Sequence, residues 1–547
     1  MQVQPIKQQN SINKNGCQNF KGASDVVLRY LATNQAIGAN CVDVCFMVAP
    51  RTGNDFIKRG PAAGMETGRR ESMGTINDSS IGLYGSAAGA LIAGSLTNKY
   101  NTKVNKIFTS PDTLHILAEN KSNQFKNNKT QYEYLKATLS SVKAYNPTAL
   151  NSDKEGFVKL SEDTVEKVAK YLDEGLKNNN YDNWIKQGTD KSRSVLMNTI
   201  ISDTGAETNY ILESSDKKIV SKTNLKSLLN DIFIVSESFN KDKVKEAFEE
   251  QIKSGKTVKE NTFIKGIDKF MKTRAGMGFA IGSAVGLCVQ PINMYLTKRK
   301  TGTDGFVGVE GRTKDDSKGF FAAKGVSSLA FFSMILATLN MKPWQFTPKK
   351  FMDKMAFNGK MPTINQLKGI YGITIISRIF SARDRDELRE VLTKDTLGYL
   401  SWLVLGDIVN RMTAEGLDKS VMNYKKGTEN GSYFKKMYNA TLKTRDEVLL
   451  ETLSKQGVDT TKTKDGKIVS KSFKELMKDL NGIKDEALKK ATKKRLSTLN
   501  KAQIAGYLFS GLVLGLGIPN LNIYITNKLD KKRKAEKQKQ INENNAA

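Results

Sequence analysis

Apolar positions along the chain fall into two kinds of pattern. Five stretches are continuously apolar or nearly so. Residues 81–96 form a 16-residue uncharged run, 275–297 one of 23, 325–341 one of 17 that Phe320–Ala323 extend past Lys324, and 502–527 one of 26. Residues 24–48 are mainly apolar but carry Arg29, Asn34, Asn40 and Asp43, which predicts an amphipathic helix with one buried side. A bilayer core takes about 20 apolar residues as helix, so 275–297, 320–341 and 502–527 are long enough to cross one. Shorter apolar runs lie at 369–380 and 396–409.

Elsewhere apolar residues recur at three- and four-residue spacing, as in 161–177 and 243–256, with acidic residues at the starts and Ser161 placed as an N-cap. Strand signals are thin: Lys218–Val220 and Lys467–Val469 are the only short hairpin strands expected, with turns at Asn430-Gly431 and Asp465-Gly466. The expected fold is mainly α: a membrane-associated helical protein with several Gly-rich apolar helices and two polar helical regions. Its expected divisions are a polar leader (1–23), N-terminal apolar helices with an Arg/Gly-rich connector (24–100), a soluble helical domain (101–270), an apolar membrane region (271–411), a Lys-rich polar helical region (412–502), a C-terminal apolar helix (503–528) and an exposed basic tail (529–547).

Two of the apolar runs repeat. Laying 275–299 on 504–528 pairs Gly282 with Gly511, Gly286 with Gly515, Asn293 with Asn522, Tyr295 with Tyr524 and Thr297 with Thr526. Glycines four apart share one helix face and admit a neighbouring backbone. Gly282, Gly286, Gly511 and Gly515 are therefore expected to pack closely against other helices or against each other, with Gly278 and Gly517 outside the pattern. The 81–96 run, with Gly85 and Gly89, is a weaker match. If all three copies spanned, copies one and two would point opposite ways, so 81–96 is expected to be re-entrant or buried.

Charge sharpens the membrane reading. The chain carries 86 Lys+Arg against 56 Asp+Glu, a formal charge of +30. Residues 275–547 hold 47 basic and 26 acidic residues, so the excess lies in the half with the longest apolar runs. Basic flanks on apolar spans suit anionic headgroups. Residues 1–22 contain no apolar core of the kind a cleavable signal needs.

Arginine is scarce, 17 against 69 lysines, and nine of the 17 lie in two windows. The first has Arg51, Arg59, Arg69 and Arg70; the second has Arg378, Arg383, Arg385, Arg389 and Arg411. Both contain interspersed carboxylates. Arginine is chosen over lysine where planar, bidentate pairing with phosphate or carboxylate matters. Lipid phosphate, an internal ion-pair network or a solvated charged turn would each explain the windows. Gly60-Pro61, Gly64 and Gly68 read as a flexible connector. Asp407 interrupts an apolar run and reads as the wet side of an amphipathic helix. Cys41 and Cys45 share a helix face and read as core packing.

A single histidine, His115, leaves no Ser-His-Asp triad or His-based zinc site to assemble. No catalytic residue, metal site or cofactor is expected. The function expected from these features is structural or partner-binding at the membrane, with lipid headgroups as one partner and a protein partner through 101–270. A transporter or channel built on internal repeats is the alternative, and a soluble polyanion-binding protein a further one. Nucleic acid is not expected as a partner. The C-terminal tail is expected on the cytoplasmic side of a membrane.

Overall fold

The computed structural model describes residues 25–32, 35–178, 195–305, 307, 313–356, 363–427, 431–464 and 467–546. The leader at 1–23 and the turns at Asn430 and Asp465-Gly466 lie outside the described residues. Of the described residues, 76% are helix and 5% strand, a mainly α fold. It has two main hydrophobic cores, one in a bundle of seven long helices and one in a polar domain.

The bundle helices are α1 (35–59), α2 (61–92), α3 (Thr262–Thr301), α4 (Lys318–Thr338), α5 (Ile364–Phe380), α6 (385–417) and α7 (486–546). Three of them, α3, α4 and α7, are long and apolar enough to cross a membrane. The expected connector at Gly60–Gly68 is instead the sharp junction between α1 and α2. Gly60 sits at φ 87°, open to glycine, and Pro61 starts α2 at a position where its missing N–H costs nothing. Gly64 and Gly68 are inside α2, where their lack of a side chain makes room for Phe56 and Thr52 of α1.

The directions of the helices follow from their contacts. Thr67 bonds Asp55 and Thr75 bonds Asp43, so α1 and α2 are antiparallel. Residues 66, 77, 85, 89 and 96 meet 293, 282, 278, 274 and 266 in turn, so α2 runs antiparallel to α3. The 81–96 run is thus a helix laid along α3, with a seven-residue helix, Gly94–Tyr100, finishing the descent. Lys324 bonds the Phe380 carbonyl and Lys368 that of Thr338, which sets α4 against α5. Asn522 reaches Glu390, and Gly506 the Gly406 carbonyl, which sets α6 against α7. Odd-numbered helices therefore run one way and even-numbered helices the other.

The segments 101–261 and 418–485 both leave and re-enter the same end of the bundle, and they share one core. Leu114, Leu117, Ile232 and Phe233 of the first belong to the same cluster as Val448, Leu449 and Leu476 of the second. The segments are further joined by bonds from Tyr145 to the Tyr424 carbonyl and from Thr444 to Glu207. Ser161 caps its helix by accepting from the Thr164 N–H. The thin strand signal understates this domain. It contains an antiparallel four-stranded sheet, β1 (Val142–Tyr145), β2 (Phe157–Lys159), β3 (Tyr210–Glu213) and β4 (Val220–Thr223), in the order β2-β1-β3-β4. Strands this short cannot display a period in the sequence. Lys467–Ser470 pairs with Thr461–Lys464.

Candidate functional site

The turn of α1 into α2 and that of α5 into α6 put four helix ends side by side at the bundle end away from the polar domain. The two arginine windows, far apart along the chain, meet there. Arg51 of α1 lies 3.5 Å from Glu71 and 4.0 Å from Asp395. Arg378 of α5 lies 3.3 Å from Glu71 and 3.2 Å from Asp395. Lys394 and Arg70 complete the surroundings of Glu71, each at 3.2 Å. The side chains of Arg51, Arg378, Glu71 and Asp395 are at most 3% exposed, so this layer is interior.

Nearer the helix turns is a second layer. Arg59 forks onto both carboxylate oxygens of Glu390, at 3.0 and 2.7 Å. Arg383 reaches Glu66 at 2.7 Å, forks onto Glu387 and donates to the Gly305 carbonyl. Arg69 bonds Asn293 at 3.0 Å and Thr297 at 2.7 Å, and Arg389 bonds Thr526 at 2.5 Å. These are the bidentate and forked contacts that lysine cannot make. The windows are thus occupied mainly by internal carboxylates and amides.

Arg385, Asp407 and Arg411 stand outside the layers, Arg411 donating to the Met437 and Tyr438 carbonyls. Arg385 is 77% exposed and lies 3.6 Å from Asp315 of the neighbouring loop. Asp407 is 73% exposed and lies 3.7 Å from Arg411, one turn along α6.

Between the two layers is a cavity of about 40 Å³, lined by Arg51, Asp55, Arg59, Ala63, Glu66, Thr67 and Arg70 on one side and by Glu387, Glu390, Val391, Lys394 and Asn522 on the other. A space of this size holds one or two water molecules. Its wall carries guanidinium, ammonium, carboxylate and amide side chains together, and Glu66 Oε2, Arg70 Nε and Asn522 Oδ1 of the lining residues are buried without a protein hydrogen bond.

The glycines place the helices around this site. A Cβ on Gly282 would come within 2.9 Å of Ile370, and one on Gly286 within 2.7 Å of Thr374, so α3 lies directly on α5. A Cβ on Gly511 would meet the Phe46 ring at 2.6 Å, and one on Gly515 the Phe46 carbonyl at 2.5 Å, so α7 lies on α1. The two glycine pairs therefore face different helices and not each other. Gly278 corrects its expected role as an uninvolved position: a Cβ there would lie 2.9 Å from the Gly85 backbone, one of the closest backbone approaches in the bundle. Gly517 meets only the Leu512 carbonyl of its own helix. Cys41 and Cys45 correct their expected place too, since both are on the exposed outer face of α1.

Asp395, Lys394, Gly74 and Gly398 were not legible as site residues from their local sequence. The signal that would have found them is a second long-range repeat. Laying 59–74 on 383–398 pairs Arg59 with Arg383, Glu66 with Glu390, Arg70 with Lys394, Glu71 with Asp395 and Gly74 with Gly398. No family model, curated protein or solved structure matches the chain.

Proposed function

We propose that this chain is an integral membrane protein whose seven helices cross the bilayer and which presents its polar domain on one side, where a protein partner binds it. The observation that carries this reading is the inverted distribution of side chains in the bundle. Ionised groups line its interior, while Leu83, Leu91, Ile281, Val285, Phe321, Val326, Leu329, Leu508, Leu512 and Leu516 stand exposed on its outside. An exposed apolar surface this extended marks contact with lipid or another apolar partner. Charged side chains inside an embedded bundle face inward and pair with one another. Backbone groups in such a bundle are met within each helix, as the hydrocarbon region requires.

Lys298, Arg299 and Lys300 at the end of α3, and Lys528, Lys531, Lys532 and Arg533 along α7, fall on the bundle end opposite the polar domain. These basic flanks are the reason for placing the tail on the cytoplasmic side, against anionic headgroups. The polar domain, including the 101–270 surface, then faces the other compartment.

Alkaline carbonate extraction of membranes from expressing cells tests embedding. The expected result is full retention in the pellet, and release into the supernatant would overturn the reading. Protease protection on sealed vesicles tests orientation: the 101–261 segment and the tail should be cut from opposite sides.

A further inference from the structure

The match of 275–299 to 504–528 and that of 59–74 to 383–398 describe one duplication. The first unit consists of α1, α2, the 101–261 segment and α3; the second consists of α5, α6, the 418–485 segment and α7, with α4 as the joint. Contacts recur with the roles of the units exchanged. Arg59 pairs with Glu390, and Arg383 with Glu66. Gly74 makes room for the Arg378 guanidinium, 3.3 Å from where its Cβ would lie, and Gly398 does so for Arg51, at 3.0 Å. Asn293 donates to the Glu66 carbonyl at 3.1 Å, and Asn522 to the Glu390 carbonyl at 3.0 Å. Helix α3 lies on α5 as α7 lies on α1. Equivalent helices run in the same direction, so the operation relating the units is a two-fold rotation about an axis along the bundle. Arg51 and Arg378 play the same part although the strict match to Arg51 is Ile375; the slip is taken up before Arg383, where α5 ends earlier than α1.

The cavity lies at the interface of the two units, on the side of Arg59 and Asn522. Its wall includes Ala63 with Glu387, Glu66 with Glu390, Thr67 with Val391, and Arg70 with Lys394, each a matched pair in the alignment of 59–74 with 383–398. Bonds that close it, Arg59–Glu390 and Arg383–Glu66, all run between units.

We infer that the bundle is a fused pair of equivalent units, and that the cavity between them is the closed form of a polar path for small hydrated ions, shut on the tail side by the two reciprocal arginine–carboxylate clamps. Three features support a path over a static strut. The cavity wall mixes donor side chains (Arg59, Arg70, Lys394) with acceptor ones (Glu66, Glu387, Glu390), as a hydrated species requires. The charges lie at the interface between two repeats, where parallel-repeat membrane proteins place their ion sites. Each clamp crosses from one unit to the other, so relative motion of the units would open it. Parting the units would release two cations and two carboxylates onto the axis at once.

This inference rests on the embedded reading, and its test separates the two. In protein with Cys17, Cys41, Cys45 and Cys288 replaced by Ser and reconstituted in phosphatidylcholine–phosphatidylglycerol vesicles, Ala63→Cys reports on the cavity and Leu512→Cys on the lipid face. A small, impermeant, cationic thiosulfonate reagent is the probe. Ala63→Cys should react slowly. Adding Arg59→Lys or Arg383→Lys keeps the charge but loses the fork, and each should raise the rate by about tenfold and by the same factor within about threefold. An unchanged rate in both would overturn the path, and a rise in only one would overturn the equivalence of the units. If either lysine variant fails to fold, the charge swap Arg59→Glu with Glu390→Arg takes its place and should return the slow rate; a fast rate there would count against the clamp. Fast reaction of Leu512→Cys in every background would instead defeat the embedded reading.

Discussion

The bundle and the polar domain are made from the same chain with opposite rules. In the polar domain Leu114, Leu117, Leu229, Ile232 and Phe233 are buried, and lysines and glutamates such as Lys136 and Glu166 pair on the surface. In the bundle Arg51, Glu71, Arg378 and Asp395 are buried and leucines such as Leu512 and Leu516 are exposed. Burial of apolar area stabilises a fold only where the alternative is water. Where the alternative is hydrocarbon, helices associate through close packing and internal polar contacts. The bundle shows both, in its glycine crossings and its layered ion pairs. If the bundle is embedded as proposed, one physical principle with two solvents gives both halves of the molecule.

The comparison can be broken most severely at the ion pairs. Glu71→Ala leaves Arg51 and Arg378 sharing Asp395 alone, with Arg70 and Lys394 still close by. Removing one partner of a buried charge cluster costs about 3–5 kcal/mol, and thermal unfolding in detergent should show a loss of that size. In the polar domain the equivalent damage is apolar: Leu229→Ala should cost about 2–5 kcal/mol, read as loss of amide-exchange protection in 101–261 with the bundle helices still protected.

Packing gives the next largest effect. Gly286→Leu drives a side chain into Thr374 and Asn77, and overpacking of this kind costs about 1–3 kcal/mol or more. Gly278→Leu, set against the Gly85 backbone, should do at least as much. Gly325→Leu, on the open face of α4 with nothing within 4 Å, should leave the unfolding temperature unchanged or raise it slightly, because leucine favours helix over glycine. Equal losses at Gly286 and Gly325 would show that the close crossing at Gly286 is not what the substitution disturbs.

A smaller effect is confined to the polar domain. Asp231 is fully buried there, and desolvation pushes its carboxyl up to about 8 from 3.8. The folded state then holds a proton that the unfolded state releases. This contribution is complete below about pH 3.8 and is lost as pH rises through about 8, at up to about 1.4 kcal/mol per pH unit. Denaturant titration of the polar domain's unfolding at several pH values should follow that fall, and Asp231→Asn should flatten it. Smallest of all is Leu512→Ala, which removes an exposed side chain and should not change stability in detergent by more than about 0.5 kcal/mol.

The sequence displayed this architecture unevenly. Long uncharged runs such as 502–527 reveal α7 because a bilayer-length apolar helix needs no context to be seen. Helices α5 and α6 were less legible, since their interior carries Arg378, Glu390 and Asp395, and a charged interior resembles a solvated face in one dimension. Scarcity of arginine pointed to the two windows, yet it could not show that Arg59 would find Glu390 or that Arg383 would find Glu66. The repeat in α3 and α7 was visible through paired glycines, asparagines and threonines, which a close crossing constrains at fixed positions. Its companion in α2 and α6 was harder to see because Arg70 answers to Lys394 and Glu71 to Asp395, substitutions that keep the charge and change the letter. The expected burial of Cys41 and Cys45 failed for a related reason: an apolar face of α1 is turned outward, as the inverted bundle permits.

The central claim is that the bundle's outside meets hydrocarbon. Nitroxide labels placed singly at Val285, Leu329 and Leu512, and at Leu229 as a reference, in vesicle-reconstituted protein test it most directly through their collision rates with oxygen and with a water-soluble nickel chelate. The account predicts that the first three collide far more with oxygen than with the chelate, as in a lipid core, while the label at Leu229 is shielded from both. Frequent collision of the chelate with labels at Val285, Leu329 and Leu512 would contradict it and would place that surface in water.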